Sequence, residues 1–388
     1  MKLRCLCLWI VVGALTFIIP PAAGAAAGNK SLIAAGQNRT IVIQKDGSLW
    51  ACGDNDSGAL GLGDTITRDI LTRVGTANNW TAIAHHTHAL ALRADGTLWA
   101  WGGDNSHGQY GLGNTTPLHI PTQVGGNTDW VAVSVGIFHS LALKNNGTLW
   151  AWGDNSSGQL GAGVGDQYSP MQVGSDTHWV AVVAGGQHSL GLKDDGSLWA
   201  WGNNSNGQLG LGEVGSKNSP TKVGDGWVAI ASGELYSLGL QADGSLYAWG
   251  YNNYGQLGVG GTADRNIPTL VGTGWVAVSG GFWPDYHSLG LKADGSLWAW
   301  GYNGEGQLGL GVGDTANRSI PTHVGSEVNW GAVAAGGSHS LGLKADGSLW
   351  AWGQGGNELG LGDPGPNRFV PTKVPRFNAP KVAVIPLN

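Results

Sequence analysis

The sequence is poor in several residue types. Of 388 residues, 3 are cysteine, 2 are methionine and 5 are phenylalanine, and charged residues make up 12%, roughly half the usual share. Lys and Arg number 20 against 26 Asp and Glu, so the basic excess of a protein that binds the nucleic-acid backbone is missing. After the N-terminal segment, no apolar run is long enough to span a membrane. These deficits argue against a disulfide-framed domain, a nucleic-acid binder and a membrane-spanning mature protein.

Glycine and tryptophan are abundant instead, with 69 and 20 copies. A collagen-like chain is excluded, because glycine does not recur at every third position and proline numbers only 15. Disordered glycine-rich chains lack aromatic and β-branched residues, which are plentiful here. The composition therefore predicts a folded, turn-rich protein with aromatic packing.

The first 27 residues have the three parts of an export signal. Lys2 and Arg4 give a positive start, an apolar stretch follows, and small residues come last. We expect cleavage after Ala27, with Ala25 as the alternative site. A membrane anchor or a buried helix is the other interpretation of this segment. Cleavage would leave Cys52 as the single cysteine, so we expect a mature protein without an intramolecular disulfide or a membrane span, either secreted or held in the periplasm or at the cell surface.

One phrase organises residues 28–388. The pattern [DN]-G-[ST]-L-[WY]-A occurs seven times, at intervals of 48 to 52 residues, with no break in composition. Near-equal copies of one unit predict a single repeat domain rather than several domains. The glycines of the phrase are Gly47, Gly96, Gly147, Gly196, Gly244, Gly295 and Gly347.

Each repeat is predicted to form four short antiparallel strands. Asn146-Gly147 is typical of a two-residue type I′ hairpin turn, and the alternation of side chains along a strand places Trp150 and Trp152 on one face. Pro170 suits an outer edge strand, where a missing N–H is tolerated. In the third repeat the predicted strands are 130–133, 139–144, 148–152 and 169–174.

Seven such units predict an all-β fold, a seven-bladed β-propeller with four antiparallel strands per blade. A solenoid is the alternative, but the polar end caps that solenoids need are not visible in the sequence. Two segments compete for the strand that closes the ring, because both 31–35 and 381–385 resemble the first strand of a repeat. The sequence leaves this choice open.

Two longer motifs carry a family resemblance. They are H-S-L-x-L-K-x-D-G-S-L-W-A-W-G, seen at 339–353, and N-x-x-G-Q-L-G-L-G, seen within 203–212. Over 30–374 the chain resembles the regulator of chromosome condensation repeat family, which includes alpha-tubulin suppressor-like proteins. The resemblance implies a seven-bladed propeller. The founding member of that family is a nucleotide-exchange factor for a small nuclear GTPase and binds chromatin, so guanine-nucleotide exchange is one function that the resemblance implies.

Repeated histidines and tryptophans have simple structural interpretations. One histidine per blade would be spread around the ring, whereas a zinc ion needs ligands that converge on one point; we therefore expect these side chains to tie strand to loop by hydrogen bonds. Tryptophan pairs such as Trp150 and Trp152 are expected to fill the space between blades rather than hold a quinone cofactor. No metal or cofactor is predicted. The five histidines are His88, His139, His188, His287 and His339, and the one local cluster is His85-His86-x-His88.

The sequence contains no recognisable catalytic set, so we expect no enzyme. The parts that differ between repeats are free to select a partner. Loops between the first and second strands, and between the third and fourth, should emerge on one face of the disc. The sixth repeat has an insertion in the first of these loops. The predicted partner-binding residues on this face are Phe282, Trp283, Asp285, Tyr286, Arg68, His119, Tyr168, Arg265, Arg318 and Phe369.

The resulting expectation is an exported, monomeric, non-enzymatic propeller that binds a protein or a glycan outside the cytoplasm through the face with variable loops. Two alternatives remain: a guanine-nucleotide exchange factor, by family resemblance, and a glycan-binding lectin. For Trp283 a structural role is equally open, in which its side chain covers the apolar end of its own blade.

Overall fold

A computed structural model describes residues 33–375 and residue 377. The described chain forms seven four-stranded antiparallel sheets, one from each repeat, together with one short 3-10 helix. This arrangement confirms the predicted seven-bladed β-propeller with four strands per blade. The predicted signal peptide and the 381–385 candidate for the closing strand lie outside the described residues.

The strands are numbered in chain order, four to a blade, and the bounds follow. Blade 1 contains β1 Ile33–Ala35, β2 Arg39–Ile43, β3 Leu49–Gly53 and β4 Arg68–Arg73. Blade 2 contains β5 Trp80–His85, β6 Ala89–Arg93, β7 Leu98–Trp101 and β8 Thr122–Gln123. Blade 3 contains β9 Trp130–Val135, β10 His139–Lys144, β11 Leu149–Gly153 and β12 Gln167–Gln172. Blade 4 contains β13 Trp179–Ala184, β14 His188–Lys193, β15 Leu198–Gly202 and β16 Lys217–Gly224. Blade 5 contains β17 Trp227–Ser232, β18 Tyr236–Gln241, β19 Leu246–Gly250 and β20 Arg265–Gly272. Blade 6 contains β21 Trp275–Gly280, β22 His287–Lys292, β23 Leu297–Gly301 and β24 Arg318–His323. Blade 7 contains β25 Trp330–Ala335, β26 His339–Lys344, β27 Leu349–Gly353 and β28 Arg368–Lys373, and its 3-10 helix is Asn357–Leu359.

Strand order within each sheet follows the chain. The first three strands are mostly buried, whereas the fourth lies at the outer edge with its side chains half-buried or exposed. Pro170 lies in β12, an edge strand, as the missing N–H of proline requires. The strands of blade 3 agree with the sequence prediction to within two residues at each end.

The hairpins between second and third strands differ from the prediction. In blade 3 the Gly147 N–H donates to the Lys144 carbonyl at 2.9 Å, and the Lys144 N–H donates to the Thr148 carbonyl at 3.1 Å. Gly147 has a φ of 77°. This is the pattern of a three-residue loop, in which a turn is followed by a left-handed glycine, and not of a two-residue type I′ turn. The Asn-Gly signal located the hairpin correctly but placed its hydrogen bonds one residue too far along the chain.

Blades 7 and 1 close the ring through direct contacts. The Gly337 N–H donates to the Gly36 carbonyl at 3.1 Å, and Thr40 Oγ1 lies 3.1 Å from His339 Nε2. Ile70 and Leu361 form a further antiparallel bridge at the rim. Among the described residues, every sheet is built from one repeat, and Ile33–Ala35 of the 31–35 candidate form β1, the first strand of blade 1.

No helix in the described part of the chain has both the length and the apolar character needed to cross a membrane.

Candidate binding face

A buried set of hydrogen bonds recurs at six of the seven boundaries between neighbouring blades. Between blades 2 and 3, His88 Nε2 lies 2.8 Å from Ser140 Oγ, which donates to the Gln109 carbonyl at 2.8 Å. Trp152 Nε1 donates to the same carbonyl at 2.8 Å. The second-strand histidines therefore tie blade to blade, rather than strand to loop as predicted. The same contact to the next blade recurs as His139–Ser189, His188–Ser237, His287–Ser340 and His339–Thr40, with Tyr236–Ser288 in blade 5.

Burial keeps these imidazoles neutral. Loss of solvation is the main cause that lowers the pKa of His88 to about 3 and that of His139 to about 4. A neutral ring has one N–H and one lone pair, so it can share a single hydrogen bond with a serine hydroxyl without a counter-ion.

The paired tryptophans of the third strands share a face, as predicted. The ring of Trp130 lies 5.7 Å from that of Trp150 and 6.3 Å from that of Trp152. The ammonium of Lys144 lies 4.7 Å from the Trp150 ring centroid, a distance suited to a cation–π contact. Trp152 is fully buried and bonds to the preceding blade, so it packs between blades.

The seam between blades 7 and 1 uses a smaller side chain. Cys52 occupies the place of the second tryptophan, and its Sγ lies 3.6 Å from the Glu358 carbonyl oxygen. Thr40 Oγ1 donates to that carbonyl at 2.7 Å. Burial raises the pKa of the Cys52 thiol, so the sulfur stays protonated and behaves as a small apolar group.

The loops that vary between repeats share one face. The insertion 282–286 joins β21 to β22, and the ring of its Tyr286 lies 5.4 Å from that of Tyr251, in the loop between β19 and β20. First–second and third–fourth loops therefore emerge together, as predicted. We name this side, which carries both sets of loops, the variable face.

The insertion divides into a buried and an exposed part. Phe282 is buried, and its ring lies 4.3 Å from that of His86 in blade 2, on the far side of the central axis. Tyr286 is also buried, and Asp285 is half-buried. The side chain of Trp283 is exposed, with 55% of the residue accessible to solvent, and its backbone N–H donates to Glu234 Oε2 at 2.7 Å. The peptide bond from Trp283 to Pro284 is cis. Phe282 thus packs inward against blade 2, while the side chain of Trp283 is exposed to solvent.

The predicted arginines of the loops are engaged within their own loops. Arg68 Nη2 lies 2.6 Å from Asp64 Oδ2, and Arg318 Nη2 lies 2.5 Å from Asp314 Oδ2. Arg265 donates to the Ala263 carbonyl at 3.1 Å. Half-buried guanidinium groups held in this way shape the loops and leave only part of their surface open to a partner.

The three remaining predicted residues pack against the preceding blade. His119, Tyr168 and Phe369 each cover the glycine of a turn in that blade: Gly58, Gly108 and Gly306 in that order. Each of these glycines has a positive φ, and a Cβ at any of them would collide with the covering ring. Of the three rings, only that of Tyr168 belongs to an exposed residue.

Three tyrosines that were not among the predicted residues join Tyr286 of the insertion in an aromatic cluster. We name Tyr251, Tyr254, Tyr286 and Tyr302 the tyrosine cluster. The ring of Tyr254 lies 6.1 Å from that of Tyr286 and 5.2 Å from that of Tyr302. A signal was present in the sequence: Tyr251 and Tyr302 stand where the other repeats have Asp, Asn or Gln, and six of the 8 tyrosines lie between 236 and 302.

Three carboxylates border the tyrosine cluster. They are Glu234, Asp285 and Glu305, and none of them belongs to an ion pair between described residues. Burial raises the pKa of Glu234. Burial also raises the pKa of Asp285, and the nearby Glu305 charge adds to this.

A histidine and two aspartates of neighbouring loops offer ligand atoms within 4.8 Å of one another: His107, Asp154 and Asp166. Their polar atoms are already occupied within the protein, since Asp154 accepts bonds from Ser156 and Gln159. His107 Nδ1 lies 2.7 Å from Asp166 Oδ2, which links blade 2 to blade 3. Structural bonding explains this group without a metal.

The other local histidine cluster is buried near the axis. The ring nitrogens of His85 and His86 have no hydrogen-bond partner among the described residues, and burial lowers the pKa of His86 to about 3. His88 is committed to Ser140, so the three rings do not share a common ligand geometry.

The fold and this face define a class of protein: a propeller of tryptophan-rich repeats with one variable face. A family model for the RCC1-like domain matches residues 19–282, and two models for the regulator of chromosome condensation (RCC1) repeat match 294–343 and 332–358. The chain belongs to the RCC1-like family.

Curated relatives share one part of the chain. Over 105 residues it is 37% identical to the ultraviolet-B receptor UVR8 of Arabidopsis thaliana, which covers 26% of this chain and 23% of the receptor. Over 104 residues it is 38% identical to the human probable E3 ubiquitin-protein ligase HERC3, covering 26% of this chain and 10% of the ligase. The matched part therefore spans less than a quarter of either relative.

Solved structures extend the likeness to the whole propeller. Human WBSCR16 superimposes with a TM-score of 0.74 at 26% identity, covering 84% of this chain and 93% of that one. Yeast RCC1 (Prp20), solved bound to Kap60, superimposes with a TM-score of 0.73 at 23% identity, covering 90% and 85%. At 23% identity, the similarity to the yeast protein supports the fold of this chain and nothing about its function.

Proposed function

We propose that the protein is an exported, non-enzymatic propeller that binds a protein partner through the variable face. The observation that carries this proposal is the exposure of Trp283, because every other tryptophan that the structure describes is buried or half-buried. Tryptophan is one of the residue types in which binding hot spots are enriched. Export is supported by the charged, apolar and small-residue order of the first 27 residues.

The repeat architecture supports a binding role in a second way. In six blades the first–second loop has three residues, whereas in blade 6 it has six, 281–286. Packing can be satisfied without the insertion, as the other blades demonstrate. The insertion therefore adds a surface feature to a scaffold that is already complete.

Substitution of Trp283 by Ala tests the proposal. The purified protein, used as bait in extracellular medium, is expected to lose its partner when Trp283 is truncated, because binding anchors commonly contribute about 2 kcal/mol or more. The melting temperature should stay unchanged, because the side chain makes little buried contact. Binding is measured by recovery of the partner, identified by mass spectrometry.

Val164→Ala is the matched control, since Val164 is 94% exposed in a variable-face loop of blade 3. Equal recovery by the wild type and Trp283→Ala would refute the proposed role. Accelerated GDP release from a small GTPase would support the exchange-factor alternative instead. Tyr286→Ala is unsuitable as a binding variant, because its side chain is buried.

A further inference from the structure

The aromatic surface of blades 5 and 6 is continuous with a negative border. The backbone N–H of Trp283 donates a 2.7 Å hydrogen bond to Glu234 Oε2. The adjacent Tyr286 joins Tyr251 and Tyr254, whose ring centroids lie 5.4 and 6.1 Å away. Glu234 thus lies near both Trp283 and Tyr286, and Asp285 and Glu305 lie near Tyr302.

The aromatic rings are partly open rather than sealed in a core. Tyr251, Tyr254 and Tyr302 are half-buried, and Trp283 is exposed. Tyr254 and Tyr302 meet edge to face, with centroids 5.2 Å apart and an interplanar angle of 80°. Rings at such angles present π faces in more than one direction, as sites for organic cations do.

The carboxylates carry charge that the protein itself leaves without a cation. Glu305 Oε2 accepts a bond from the Asn367 amide at 2.7 Å, and Asp285 lies beside Ser338. By contrast Glu213, on the same face in blade 4, is paired with Lys217 at 2.7 Å. Elsewhere on this face Asp64 and Asp314 are paired with arginines of their own loops. At blades 5 and 6, three carboxylates without an ion pair between described residues thus lie beside a cluster of partly open aromatic rings.

From this arrangement we propose that the tyrosine cluster, Trp283 and the carboxylates Glu234, Asp285 and Glu305 bind arginine or lysine side chains of a basic segment in the partner. A guanidinium group stacks on aromatic rings and donates two N–H hydrogen bonds in its plane to a carboxylate, so it matches both components of the surface. The net charge of −6 attracts such a segment over longer distances. This inference rests on the proposed function and specifies the chemistry of its partner.

Titration calorimetry with an oligo-arginine peptide tests the inference on the full protein. The wild type is expected to bind this peptide and not an oligo-glutamate peptide of equal length. The double variant Asp285→Asn/Glu305→Gln removes two charges with little change of shape and is expected to bind at least about tenfold more weakly, as is Trp283→Ala. Glu213→Gln is the control, because its charge is already paired, and its affinity should stay within about twofold of the wild type.

The outcomes separate this inference from the proposed function. Unchanged affinity in the double variant would overturn the cation site, and so would binding of maltohexaose that ignores both charge substitutions. If the natural partner is lost with Trp283→Ala but kept with the double variant, the variable face binds by other chemistry. If both variants keep the partner, the proposed function fails as well. Unchanged melting temperatures are required of every variant.

Discussion

At the residue scale, the same side chain has different roles in different places. Trp300 is fully buried, and its Nε1 donates to the Gln256 carbonyl of the preceding blade at 2.9 Å. Trp283 in the same blade is exposed. One tryptophan contributes to stability and the other to the surface, although both belong to a single repeat.

Truncation of Trp300 to Ala is expected to lower the free energy of unfolding by about 3–5 kcal/mol, because it opens a cavity between two blades. Urea unfolding followed by circular dichroism measures the change. Trp283→Ala is the control and should stay within about 0.5 kcal/mol of the wild type. A comparable loss in both variants would mean that Trp283 is also structural.

At the element scale, the hairpins between second and third strands depend on one backbone conformation. Gly147 has a left-handed φ, and a Cβ there would collide with the Thr177 carbonyl oxygen. Gly125 also has a left-handed φ, but nothing lies within 4 Å of its Cβ position. The hairpin glycine is thus required both for its conformation and for a close approach to the next strand.

Gly147→Ala is expected to destabilise the protein more than Gly125→Ala. Gly125→Ala should lower the free energy of unfolding only by the cost of a left-handed alanine, about 1 kcal/mol. Gly147→Ala adds a steric collision to this cost, so its loss of stability should exceed about 2 kcal/mol. Gly126→Ala, with neither a left-handed φ nor a neighbour within 4 Å, should be close to neutral. Melting temperatures of the three variants give the order of their stabilities. An equal loss of stability in Gly147→Ala and Gly125→Ala would contradict a destabilising collision at Gly147.

Strands and blades could be predicted from the sequence because their signals are local and repeated seven times. Alternation along β11 placed Trp150 and Trp152 on one face, and Pro170 marked an edge strand. The hairpin geometry was missed because Asn146-Gly147 suits two loop types, which differ only in their hydrogen-bond frame. Three members of the tyrosine cluster were missed because Tyr254 and Tyr302 belong to different blades, and only the packing of blade 5 against blade 6 brings them together.

At the scale of the whole molecule, the buried histidines couple stability to pH. Burial lowers the pKa of His88, His188 and His339 to about 3, and that of His139 and His287 to about 4. Their ordinary value is 6.5. Below about pH 6.5 these histidines therefore bind protons in the unfolded chain but not in the folded one. The free energy of unfolding is highest above this pH and falls as the pH decreases.

We expect cooperative acid unfolding between about pH 6 and pH 4. Each histidine contributes a slope of up to about 1.4 kcal/mol per pH unit, so five of them can together remove up to about 14 kcal/mol over two pH units, which is comparable with the usual total stability of about 5–15 kcal/mol. Urea unfolding at a series of pH values measures the slope. His188→Tyr introduces the residue that blade 5 has at this position, Tyr236. It should reduce the number of protons taken up on unfolding by about one, and the slope of the unfolding free energy against pH falls accordingly.

His178→Asn is the control for acid unfolding. This side chain is exposed, and the neighbouring Asp176 raises its pKa, so its removal should not reduce the slope. A flat stability profile down to pH 4 would mean that the buried rings accept protons in the folded state.

The seam between blades 7 and 1 has one more consequence, since it holds Cys52, the single cysteine that the structure describes. A thiol reagent in solution can reach this sulfur only after the two blades separate. The rate of modification would therefore count the transient openings of the ring at one defined joint. A comparison of this modification rate with the hydrogen-exchange rates of the sheets would show whether blades 7 and 1 separate before any single blade unfolds.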